Sequence, residues 1–96
     1  MQISIHRLAE PELSEAAEYY SQSRKSLGKE FLDEFDAAVL KIVENPLASP
    51  KVSGDRRRKL MHRFPYSIIF ELRNDAIRIV AVAHHSRRPN YWMRRT

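Results

Sequence analysis

Ile3 and Ile5 alternate with Gln2, Ser4 and His6, the period of a short strand with one buried face, predicted over residues 2–7. Leu13, Ala16, Ala17 and Tyr20 then recur at helical spacing, with Glu15 and Glu18 on the other side. Pro11 suits a first helical turn, and Glu10 and Glu12 sit where the positive end of the helix dipole favours carboxylates. A first helix is therefore predicted from Pro11 to about Ser23. Gly28 breaks the pattern, after which Phe31, Phe35, Ala38, Val39 and Ile42 form a second helical stripe that stops at Asn45-Pro46. A connection this short folds the second helix back beside the first, and both stripes read as cover for a sheet.

Pro46, Ser49-Pro50 and Ser53-Gly54-Asp55 mark an aperiodic loop. Beyond it, Leu60, His62 and Phe64 share one parity, which predicts a strand over residues 57–63, interrupted by Pro65. Ile68, Phe70 and Leu72 share one face of a strand over 67–73, and Asn74-Asp75 is a hairpin signal. Residues 77–84 are apolar on both parities apart from Arg78, as in a central strand covered on both sides. The order β-α-α-β-β-β predicts one α+β domain over 1–96. A helical hairpin packs on a mainly antiparallel four-stranded sheet, with a polar C-terminal tail and the basic residues on the opposite sheet face.

Charge changes the picture. Residues 56–96 hold eleven Arg and Lys against Glu71 and Asp75, a balance of +9, whereas residues 1–55 hold six basic and ten acidic side chains, −4; together they make the net +5. Such asymmetry makes a field that selects partners and points to the C-terminal half as the functional surface. No run is apolar enough for a membrane span, and the start lacks a signal-peptide core, so cytoplasmic residence is expected and no membrane partner is. With no cysteine and four histidines at no metal spacing, neither a metal site nor a cofactor is expected. His6 and His62 read as strand surface.

These residues also resemble the toxin proteins of the RelE/ParE superfamily, from bacterial type II toxin-antitoxin systems. The resemblance rests on Glu15-Ala16-Ala17-Glu18-Tyr19-Tyr20, on the helix with Phe31, Phe35 and Ile42 ending at Pro46, and on Phe64-Pro65-Tyr66-Ser67-Ile68-Ile69-Phe70. It extends through Ile79-Val80-Ala81-Val82-Ala83-His84 to Arg87, Arg88, Pro89, Tyr91 and Trp92. What it implies is a growth-arresting toxin held inactive by a cognate antitoxin, expected as an extended or helical segment laid over the sheet. RelE-like members cut mRNA on the ribosome, and ParE-like members block DNA gyrase with no chemical step assigned. One fold thus carries both activities.

Metal-free RNA cleavage needs a proton acceptor for the 2′-OH, a proton donor for the leaving oxygen, and cations for the phosphorane. His84, His85, Tyr91 and Arg63 are the candidates if the chain is such an endoribonuclease. Arg57, Arg58, Lys59, Arg87, Arg88, Trp92, Arg94 and Arg95 are the candidates for binding nucleic acid or a protein target. Tyr91 and Trp92 suit either packing of the tail onto the sheet or contact with a target. RelE-like nucleases usually carry arginines where this chain has Ser67 and His85. The helical hairpin with its Ala16-Ala17 and Tyr19-Tyr20 pairs is more similar to the ParE side. The reading therefore favours a ParE-like gyrase inhibitor. The alternatives are a RelE-like ribosome-dependent mRNA endoribonuclease and an inactive or orphan relative acting as a binding module.

Overall fold

The computed structural model describes residues 1–96. The elements are β1 (Gln2–Ile5), α1 (Ala9–Ser23), α2 (Lys25–Glu44), a 3₁₀ turn (Pro46–Ala48), β2 (Lys51–Ser53), β3 (Arg56–Leu60), β4 (Tyr66–Arg73) and β5 (Ala76–His84). They form one α+β layer pair, with the two helices against a five-stranded sheet of order β1-β5-β4-β3-β2. β1 runs parallel to β5 and every other pairing is antiparallel.

Three differences from the sequence reading have physical causes. The sheet has five strands rather than four, because Lys51–Ser53 folds back on Arg56 and Arg57 across Gly54, whose φ of 56° suits glycine. Three residues are too few to show an alternation. The strand expected over 57–63 ends at Leu60: Met61 and Phe64 turn into the core, and the His62 and Arg63 amides donate to Glu34 Oε1 at 3.1 and 2.9 Å instead of to a neighbouring strand. Finally, α2 begins at Lys25, so Gly28 lies inside it and Arg24 alone, in extended conformation, separates the helices.

Gly28 is a contact residue, not a breaker. A Cβ there would lie 1.9 Å from Ser21 Oγ and 2.6 Å from the Ala17 carbonyl oxygen, so α2 meets the backbone of α1. Gly28→Ala gains helix propensity, about 1 kcal/mol, yet must push the helices apart. We expect a net loss of roughly 1–3 kcal/mol in urea unfolding; an alanine variant as stable as the parent would contradict the contact.

The main core lies between helices and sheet: Phe31, Phe35 and Ile42 meet Ile68, Phe70, Ile77, Ile79 and Val82, with Phe64 closing one end. Pairing jumps from Ile69↔Ala81 to Phe70↔Ile79, so Val80 is an extra residue in β5 and the side-chain parity changes there. The bulge aims Val80, Ala81 and Ala83 at the second face, where they bury with Ile69 and Trp92. The central strand is covered on both sides, as its composition indicated, and its second cover is the tail.

Candidate functional site

Two largely covered charges, Arg56 and Glu12, fix residues 91–96 against the second face. Arg56, in β3, pairs with Glu71 across β4 at 3.2 Å. Its guanidinium also donates to the carbonyls of Trp92 at 2.8 Å, Met93 at 3.2 Å and Arg95, so one cation collects three tail carbonyls. Glu12, in the first turn of α1, does the complementary work. Its carboxylate accepts both Arg95 nitrogens at 2.9 and 2.8 Å, the Tyr91 hydroxyl at 2.6 Å and the Val82 amide at 3.0 Å. That amide belongs to the half of β5 that runs past the end of β1, so Glu12 substitutes for the missing strand. Burial would raise the Glu12 carboxyl, but the hydrogen bonds from Arg95, Tyr91 and Val82 outweigh it and hold the group below the usual carboxylate range. Tyr91 moves the other way: burial, then the bond to Glu12, push its hydroxyl well up.

The anchored tail and the open end of β4 and β5 enclose a pocket of about 290 Å³. Arg58, Ser67, His84, His85, Arg87 and Arg88 supply its polar lining; Ile69, Ala83 and Trp92 line it with apolar surface. Ser67, buried, has its hydroxyl 3.0 Å from His85 Nε2. His84 Nδ1 is engaged by its own loop: it accepts the Ser86 amide at 3.0 Å and faces the Ser86 hydroxyl at 2.7 Å, while the ring packs edge-on with Tyr66. Arg58 and Arg88 have no carboxylate within ion-pair distance, and Arg87 lies over the Tyr91 ring at 3.9 Å. No group of three His, Asp or Glu is placed to hold a metal.

The structure brings together part of the sequence-selected set. Arg58, His84, His85, Arg87, Arg88, Tyr91 and Trp92 share the pocket. Arg57 and Lys59 do not, because they pair with Phe70 and Ile68 and so face the helix side, and Arg57 is spent on the Ser49 carbonyl at 2.7 Å. Arg63 is held by Glu30 of α2 at 2.8 Å, outside the pocket lining. Trp92 is 4% exposed and is a packing residue. Arg94 and Arg95 lie on the other side of the tail ridge with Arg7, Arg78 and His6. His6 is buried rather than strand surface: its Nδ1 accepts the Leu8 amide at 3.0 Å at the turn into α1.

Glu12, Arg56, Ser67 and Arg78 are the residues that sequence reasoning undervalued. Glu12 looked like a dipole partner and Arg56 like one arginine of a run. The one available signal was Glu71, a lone carboxylate in an apolar strand, which demands a buried cation.

The fold is a small α+β one, two helices packed on a five-stranded mixed sheet. A chain in a solved structure described as the chromosomal ParDE TA system from P. aeruginosa superposes with a TM-score of 0.62 at 18% identity, over 88% of this chain and 95% of that one. The chain belongs to the ParE toxin family of the type II toxin-antitoxin system parDE, whose family model matches residues 3–89. No curated protein matches the sequence significantly. No helix is long and apolar enough to cross a membrane.

Proposed function

We propose that the chain arrests growth as a ParE-type toxin that blocks DNA gyrase through the tail-covered sheet face, and that a cognate antitoxin neutralises it. The observation that carries the choice of target is the commitment of the candidate catalytic groups. Tyr91, one of the candidates for proton exchange, donates its hydroxyl to Glu12 at 2.6 Å, and Arg63 donates its guanidinium to Glu30. His85 is left with Ser67, and the arginine that a RelE-like site places at that position is absent. A cutting site needs its acid, base and cations around one phosphate; a blocking surface needs only shape and charge, which Arg58, Arg87 and Arg88 supply beside an apolar wall.

The antitoxin reading draws on the free edge of β1 and on the apolar groove beside it, lined by Ile3, Ile5, Leu13, Phe35, Val39 and Leu40. An amphipathic or extended acidic segment fits such a groove and edge on a basic protein. A second reading retains support from the Ser67–His85 pair beneath Arg58 and Arg88, the arrangement that could still exchange a proton with RNA.

Purified toxin incubated with gyrase and relaxed plasmid, and in parallel with programmed ribosomes, separates the two. Inhibited supercoiling with intact message is the expected result, reversed by antitoxin. Cleaved message with normal supercoiling, and at least a hundredfold slower cleavage in His85→Ala, would establish the nuclease instead.

A further inference from the structure

On the far side of the tail from the pocket is a cleft of about 660 Å³, within the range of small-ligand sites. We propose that this cleft, walled by Arg7, Arg78, Arg87, Arg88, Arg94 and Arg95 over His6, binds adjacent phosphate groups. The inference stands apart from the choice between gyrase and ribosome.

Six arginines from three segments, the turn after β1, the start of β5 and the tail, line the cleft, and no Asp or Glu does. Glu12 neutralises Arg95 and lies 3.9 Å from Arg87, and Arg78 lies 4.0 Å from Glu71 and donates to the Thr96 carbonyl at 2.5 Å, but Arg7, Arg88 and Arg94 have no acidic partner. Cations lining one cleft repel one another unless an anion joins them. All six are arginines, whose planar fork matches phosphate oxygens with paired N–H donors. Surrounding a concavity, they can reach a tetrahedral group from several directions.

His6 supplies the independent observation. It is 5% exposed and lines the cleft, and its Nδ1 is used by the Leu8 amide. The neutral ring therefore carries its proton on Nε2, which has no protein acceptor. Burial, then Arg78, Arg95, Arg7 and Arg56, hold this imidazole below its ordinary pKa; an anion in the cleft offsets those cations and accepts the free N–H. The lining offers no open aromatic face for a base, since the Tyr91 ring lies under Arg87. Recognition is of phosphates alone, whether of a free polyphosphate or of a nucleic-acid backbone.

The test is calorimetry on the purified full chain with inorganic tripolyphosphate, with sulfate at matched ionic strength as control, and an Arg7→Gln/Arg94→Gln double variant. Neither residue has an ion-pair partner, so folding is preserved. One equivalent of tripolyphosphate should bind, at least tenfold tighter than sulfate and at least tenfold weaker to the variant, and the His6 ring resonances should titrate at higher pH when it is bound. Competition by a short DNA duplex would assign the phosphates to a backbone; its failure to compete would assign them to a free polyphosphate. Equal affinity of variant and parent, binding no better than sulfate, or preference for a polyglutamate peptide would overturn the proposal.

Discussion

Glu12→Gln is expected to release the C-terminal tail while the helix–sheet core stays folded. The neutral side chain leaves Arg95, only 12% exposed, without its carboxylate, and weakens the charge-assisted bonds from Tyr91 and Val82. Removing one partner of a fully buried pair costs about 3–5 kcal/mol; the partial exposure of this pair and the amide's remaining acceptor place the variant below that range. Trp92, the only tryptophan, reports the event directly: buried against Ile69, Val80 and Ala83, its emission should shift to the red, and trypsin should gain access at Arg94 and Arg95. Growth arrest should fall with it, because the pocket loses the wall that Tyr91 and Trp92 provide. Unshifted emission with unchanged toxicity would refute the assigned role.

The same latch has a pH dependence of definite sign. A carboxyl whose folded-state pKa is depressed contributes stability that is present above its unfolded value, near 4.5, and is lost as pH falls through the lower folded value. Trp92 emission in the parent should therefore hold at neutral pH and redden only on acidification below about 4.5, whereas Glu12→Gln should be red-shifted throughout.

Arg56→Leu should be the most destabilising single substitution of an arginine. It leaves Glu71, 7% exposed, with only Arg73 at 3.5 Å and Arg78 at 4.0 Å, and it strips a donor from three tail carbonyls. A loss of roughly 3–5 kcal/mol follows from the uncompensated buried charge, measured by urea unfolding. Arg57→Leu, the neighbouring control, forfeits one bond to the Ser49 carbonyl and should cost about 1 kcal/mol. Because the penalty comes from the orphaned carboxylate, Arg56→Leu/Glu71→Leu should regain a large part of it. If the double variant is no more stable than the single one, the tail carbonyls rather than Glu71 account for the effect.

Arg56, Arg57 and Arg58 show how far the candidate site could be read in advance. The sequence marks all three as one basic run, and strand alternation predicts that the middle one faces away from the other two. It does not say which face the tail covers, and that choice makes Arg56 structural, Arg58 a pocket residue and Arg57 a bond to the Ser49 loop. His85 was legible as a candidate, but its contact with Ser67 joins residues eighteen positions apart. Gly28 misled for a related reason: in a single helix glycine reads as a stop, and only the second helix gives it a purpose.

The helical hairpin, the β4–β5 hairpin and the basic C-terminal half were all legible from residue order, because apolar spacing, turn chemistry and charge content are local properties of the chain. The fifth strand, the Glu12 and Arg56 anchors and the division of the arginines between a pocket and a cleft had to await the folded chain. Each depends on carbonyls, carboxylates and guanidinium groups from distant segments meeting where water is excluded, and no spacing along the sequence encodes which of several like charges will be buried.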